Sequence, residues 1–233
     1  MEPQKSTARL AGLLYLIVVM TGFFSLAYVP GQLLMPGNMA STVQNISTST
    51  MLFRLGIYAG VICYATFVLL PLVLYTLLHR VNRHHAVAMV ALALVSVPLS
   101  LIAVTEKLAV LTLLGDGSYT PALSTASLQA QVAGRLDQYN NIIDIAAVFW
   151  GLWLFPFGYL VVKSGFLPRI LGIFLIVGCF GYLVNFTGGF LFPAYNDLGI
   201  SGYVSIPSAL GEIGICLWLL IIGVKKRTPM PVA

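Results

Sequence analysis

The sequence predicts an all-α protein: a bundle of six transmembrane helices, with a short amphipathic interfacial helix before the fourth. Three observations predict it. Of the 233 residues 59% are hydrophobic and only 8% charged, whereas a soluble domain carries about a quarter charged residues. No water-soluble core hides so much apolar surface, so lipid is the expected surroundings and first partner. The apolar residues also gather into six runs of membrane length, at 10–29, 51–79, 86–114, 140–162, 170–192 and 205–224. Finally, nine of the twelve Lys and Arg fall on one side of a six-span arrangement: Lys5, Arg9, Arg80, Arg83, Lys163, Arg169, Lys225, Lys226 and Arg227. Every acid except Glu2 lies on the other side or in that half of the membrane. Cations collect in cytoplasmic turns, so the expectation is one integral-membrane domain over 1–233, in the cell membrane, with both termini in the cytoplasm.

The first run follows Lys5 and Arg9. Ser25-Leu26-Ala27 has the small-x-small pattern of a signal-peptidase site, but about 20 apolar residues exceed the usual signal core, and an uncleaved helix is expected. Pro30, Gly31, Pro36 and Gly37 should break that helix and open an outer loop that runs to Thr50. Span two has Pro71 as a kink point and ends in the basic turn Arg80-Val81-Asn82-Arg83-His84-His85. Span three, with Pro98, leads into the turn-rich stretch 115–121, and 124–139 reads as the interfacial helix. Spans four and five are joined by Lys163-Ser164-Gly165-Phe166-Leu167-Pro168-Arg169. This joint carries two cations and no acid, with Pro168 opening the next span, where a missing N–H costs nothing. Arg9-Leu10-Ala11-Gly12 and Arg169-Ile170-Leu171-Gly172 echo one another at the start of two spans running in the same direction. The echo is too short to establish a repeat.

Several function classes lose their footing here. The net charge of +5 sits at span ends and forms no basic patch with interleaved aromatics, so no nucleic-acid partner is expected. Cys63, Cys179 and Cys216 all lie in apolar runs, without a CxxC pair, and suit neither a disulfide framework nor zinc. His79, His84 and His85 share one basic turn, which leaves no mid-membrane imidazole for a haem. No metal and no cofactor is expected. HExxH, Walker A, the dinucleotide fingerprint and GxSxG are all absent from the sequence. The aromatic stripe Trp150, Trp153, Phe157 reads as packing at helical spacing. Asn45-Ile46-Ser47 fits a glycosylation sequon.

Charges inside spans are costly and rarely face lipid, so they mark the candidate site. Glu106 and Lys107 lie in span three and Glu212 in span six. By helix rise the two glutamates sit roughly 12 Å below the same boundary. Asp137, Asn140, Asn141 and Asp144 form one helical face leading into span four. Arg54 enters near the top of span two, and Asn185 lies in the matching half of span five. The ligand-binding candidates are therefore Arg54, Glu106, Lys107, Asn141, Asp144, Asn185 and Glu212. Arg54, Glu106, Asp144 and Glu212 are expected to converge in one outward-facing cavity, Arg54 holding two carboxylates. The bland reading pairs Arg54 with Glu106 or Glu212, and Lys107 with Asp144, simply to fix helix register.

The hairpin 149–183 resembles the signature of the bacterial membrane family called domain of unknown function 4386. Other landmarks are Ala8-Arg9-Leu10-Ala11-Gly12-Leu13-Leu14-Tyr15-Leu16, Asn45-Ile46 with Leu52-Phe53-Arg54-Leu55-Gly56, and Gly211-Glu212-Ile213-Gly214. The resemblance covers nearly the whole chain and implies an integral membrane protein of bacterial type. It supplies no catalytic or binding residues. The leading expectation is a pocket for a small polar or amphipathic ligand, serving transport or sensing. An alternative is an intramembrane enzyme on a lipid or lipid-linked substrate, with Glu106, Asp144 or Glu212 as acid or base. A third is a structural partner of another membrane protein. Transport would need a second, inward route, which the apolar inner half does not offer.

Overall fold

The computed structural model describes residues 2–115 and 124–224, and every regular element among them is helical. Among the described residues six helices are long and apolar enough to cross a membrane: Gln4–Leu33, Thr50–Leu78, Arg83–Leu114, Thr125–Ser164, Arg169–Leu191 and Ser201–Ile221. The architecture is that of a multi-pass membrane protein. Large apolar side chains cover the outside as well as the core, Phe23 at 62% exposure, Met51 at 69% and Phe190 at 75% among them. Water would not tolerate so much contiguous apolar surface, whereas hydrocarbon does. Residues 116–121 of the expected turn and the run Lys225-Lys226-Arg227 lie outside the described residues.

The first span is built from α1 (Glu2–Phe23), a π-helical turn (Phe24–Tyr28) and α2 (Val29–Leu33). The expected break at Pro30 does not occur. The π-turn shifts the register, so Pro30 stands in the first turn of α2, where a missing N–H is tolerated. The helix ends later, at Leu33, where Leu34 turns extended; Gly37 takes φ +73° in the turn that follows, and the rest of the expected loop is largely helical. In α3 (Met39–Thr48), Asn38 caps the start by accepting the Ser41 N–H at 3.0 Å. Thr42 accepts the Met35 N–H at 2.9 Å, and Asn45 donates to the Leu33 carbonyl at 3.3 Å, so the polar side chains pin α3 to the end of α2.

Pro71 and Pro98 lie inside the unbroken helices α4 (Thr50–Leu78) and α5 (Arg83–Leu114). The stretch expected as a separate interfacial helix instead runs without a break into span four, as α6 (Thr125–Leu152). Helix continues because no proline or glycine-rich turn separates the amphipathic stretch from the apolar one. The interruption falls at Trp153, three residues before Pro156, after which α7 (Leu154–Ser164) completes the span. At the basic joint the Ser164 hydroxyl donates to the Val161 carbonyl at 2.8 Å and accepts the Leu167 N–H at 3.1 Å, and Gly165 takes φ +71°. Then follow α8 (Arg169–Leu191), a 3₁₀ turn (Pro193–Leu198), α9 (Ser201–Val204) and α10 (Ile206–Ile221).

The chain forms two compact units. One comprises Met1–Leu16, Thr66–Ser96 and Ile145–Ala233, the other Ile17–Ala65 and Val97–Asp144. The core of the first unit is aromatic around Trp153, which is 1% exposed. Phe157 stacks on it at 5.2 Å, Phe67 meets it edge-on at 5.2 Å, and Tyr15 lies 6.1 Å away. Glycine sets the helix spacing. A Cβ on Gly158 would stand 2.6 Å from the Gly172 carbonyl oxygen, and one on Gly172 would stand 2.7 Å from the Gly158 carbonyl oxygen. A Cβ on Gly12 would strike the backbone of Leu220. Both glycines of the Arg9–Gly12 and Arg169–Gly172 echo are therefore close-approach positions, the usual means of helix association in lipid.

In the second unit α4 presents Gly56 to Val29 and Gly60 to Ser25, one helical turn apart. These glycines let α4 lie directly against the π-turn of the first span.

Candidate functional site

In the second unit, two adjacent residues of α5 carry opposite charges into different surroundings. Glu106 accepts the Arg135 Nη1–H at 3.1 Å, with 11% of the Glu106 side chain and 48% of the Arg135 side chain exposed. This is the one ion pair among the described residues. Successive residues on a helix point about 100° apart, so Lys107 goes elsewhere. It is 4% exposed, its Nζ donates to the Ser25 carbonyl at 3.3 Å, and the same Nζ sits 4.0 Å from the centroid of the Tyr139 ring.

The π-turn explains why the Ser25 carbonyl is free to accept. Within the turn the Val29 N–H bonds Phe24, five residues back, rather than Ser25, four residues back. The donor five residues beyond Ser25 would be Pro30, which has no N–H. Ser25 is left with an orphan carbonyl inside a membrane span, and the Lys107 ammonium satisfies it. Such π-turns recur at functional sites. Arg135 and Tyr139 stand one turn apart on α6, so one face of that helix receives both charges of α5.

In the first unit Glu212 lies near the middle of α10. Its Oε2 accepts the Tyr15 hydroxyl at 3.0 Å and its Oε1 the Tyr182 hydroxyl at 3.4 Å. Tyr15 comes from α1 and Tyr182 from α8, and Tyr15 is 1% exposed. Three of the landmark segments named above, 8–16, 149–183 and 211–214, thus meet at one carboxyl. One turn along α10, the Cys216 thiol donates to the Gly12 carbonyl at 3.6 Å.

The expected pairings take other forms. Arg54 is exposed near the start of α4 and makes no ion pair among the described residues, while its expected partner Glu106 is taken by Arg135. Lys107 finds a carbonyl and a ring rather than Asp144. Asn141 and Asp144 are exposed on α6. Glu212 belongs to the other unit, with two tyrosines and no cation as partners. Depth along a helix is readable from sequence, but rotation about its axis is not. Asn185 is occupied in structure-building: it donates to the Ser205 hydroxyl at 2.9 Å and the Ser201 carbonyl at 3.2 Å, and accepts from Tyr195 at 2.6 Å. His79 bonds the Tyr75 carbonyl at 3.0 Å, and His85 stacks on Tyr159 at 4.0 Å.

Arg135, Tyr139, Tyr15 and Tyr182 are not among the residues the sequence marks out. The i, i+4 spacing of Arg135 and Tyr139 is the available signal, masked by the amphipathic pattern that makes 124–139 look like a surface helix.

A family description, Domain of unknown function (DUF4386), matches residues 10–223. The chain belongs to this family. The matched region runs from the first span to the sixth and contains both polar clusters. The chain is also similar to an uncharacterized protein of Archaeoglobus fulgidus, 30% identical over 90 residues, which are 39% of this chain and 51% of that protein. The match thus spans about half the length of that relative. No solved structure matches.

Proposed function

We propose that this member of DUF4386 binds a small polar or amphipathic ligand with an anionic head, for transport or sensing, at the Glu106–Lys107–Arg135–Tyr139 cluster. Lys107 carries this reading. A buried ammonium normally holds a carboxylate, yet the neighbouring Glu106 is committed to Arg135. Two cations therefore share one carboxylate locally. Arg135 contacts Glu106 through one nitrogen of its fork and is 48% exposed, which leaves donors of the kind that grip a carboxylate or phosphate. Thermal unfolding in mild detergent tests this. Dodecyl phosphate should raise the midpoint by several degrees relative to dodecyltrimethylammonium, and Arg135→Gln should remove the difference. Equal effects of the two amphiphiles on the native protein would end the proposal.

A second reading is favoured by the Ser25 contact: Lys107 staples the π-turn and fixes how the first span meets α4. The two roles are compatible.

The basic turns support an orientation with both termini in the cytoplasm. The three native cysteines are buried, so introduced thiols report cleanly. In intact cells an impermeant maleimide is expected to label Ser47→Cys in α3 and to spare His84→Cys in the basic turn. Labelling of the second but not the first would reverse the orientation.

A further inference from the structure

We propose that Glu212 is an exchangeable proton-binding site, with Tyr15 and Tyr182 as the donors that serve its charged form. The inference does not depend on ligand binding at the Lys107 cluster. Glu212 stands about 9 Å along α10 from the start of that helix, counted by helix rise. The titratable groups around it are Tyr15 from α1, Tyr182 from α8, and Cys216 one turn along its own helix, whose thiol is engaged by Gly12. None is cationic, and no Lys, Arg or His pairs with Glu212 among the described residues. A carboxylate without a counter-ion at membrane depth needs a neutralising partner. A proton is the partner that requires no additional space.

The geometry serves both states. Ionised, the carboxylate accepts one phenolic O–H on each oxygen. On taking up a proton, one carboxyl oxygen becomes a donor, and the facing phenol accepts it after rotating its own hydroxyl hydrogen, since a phenol both donates and accepts. The proton adds to a carboxylate oxygen, no covalent bond to carbon changes, and no heavy atom has to move. Glu212 as a residue is only partly covered, while both of its carboxyl oxygens are held by phenols.

Infrared difference spectroscopy on the full-length protein in lipid nanodiscs, titrated from mildly acidic to mildly alkaline pH, provides the test. A protonated-carboxyl band should appear reversibly on acidification, shift in heavy water, and vanish in Glu212→Gln. Glu212→Asp, which keeps the carboxyl on a shorter stem, should move the band and so assigns it even if the glutamine variant does not fold. Tyr15→Phe or Tyr182→Phe removes a donor to the charged form, so the midpoint should move to higher pH by about one to two units. A merely structural tyrosine would leave the midpoint in place, and that result would overturn the assignment. So would a band insensitive to heavy water or to Glu212→Asp, or no such band at any pH.

Discussion

Gly172→Leu is expected to abolish recovery of folded protein. At this position α7 and α8 touch backbone to backbone: a Cβ would stand 2.7 Å from the Gly158 carbonyl oxygen, 2.7 Å from Val162 Cγ2 and 2.9 Å from the Val162 N. A flexible side chain could yield to an added group, but two helix backbones cannot. Overpacking a tight core costs about 1–3 kcal/mol and sometimes more. A contact with backbone on both sides belongs at or above the upper end of that range, a large part of typical net stability. Gly134→Leu is the matched control. A Cβ at Gly134 in α6 meets nothing within 4 Å, and replacing a helical glycine there should be neutral or stabilising by up to about 1 kcal/mol. Fluorescence-detected size exclusion of the two variants in parallel is the measurement. A monodisperse Gly172→Leu protein with native thermal stability would contradict the packing described for the hairpin.

The second large effect is energetic coupling between Tyr15 and Glu212. Glu212→Leu leaves the Tyr15 hydroxyl, buried beside Trp153, without its carboxylate acceptor. An orphaned buried donor costs about 1–3 kcal/mol. Removing a carboxyl from the span also returns part of its desolvation penalty, so the single variant alone has no certain sign. The double-mutant cycle removes that ambiguity. Tyr15→Phe in the Glu212→Leu background should be markedly less destabilising than Tyr15→Phe alone, with a coupling of about 1–3 kcal/mol. Tyr15→Phe with the same effect in both backgrounds would mean that the 3.0 Å contact holds nothing together.

Much of this was legible in the sequence because charge is rare in it. Glu106, Lys107 and Glu212 stand out in apolar runs, and helix rise gives their depth without any knowledge of neighbours. Their partners were not legible, since pairing depends on rotation about helix axes and on where a helix shifts register. Arg54 has the right depth for Glu106, yet Arg135 holds that carboxylate. Tyr15 and Tyr182 read as apolar filling of their runs, and nothing in the local pattern announces hydroxyls aimed at one carboxyl 197 and 30 positions away. Pro30 misled for a physical reason. Proline breaks an established helix, but the π-turn before it makes Pro30 the opening of a new segment, and the same register shift frees the carbonyl that Lys107 takes.

An anionic small molecule or lipid bound at the Glu106–Lys107–Arg135–Tyr139 cluster, as proposed, should survive purification. Mass spectrometry of everything that co-purifies with the protein in mild detergent, quantified against Lys107→Met and Arg135→Gln proteins prepared side by side, reads this out. An anionic metabolite or amphiphile should be retained near stoichiometrically by the native protein and depleted at least tenfold, about 1.4 kcal/mol of binding, in both variants, including Arg135→Gln at its half-exposed position. Identical co-purifying species in equal amounts in all three preparations would contradict it.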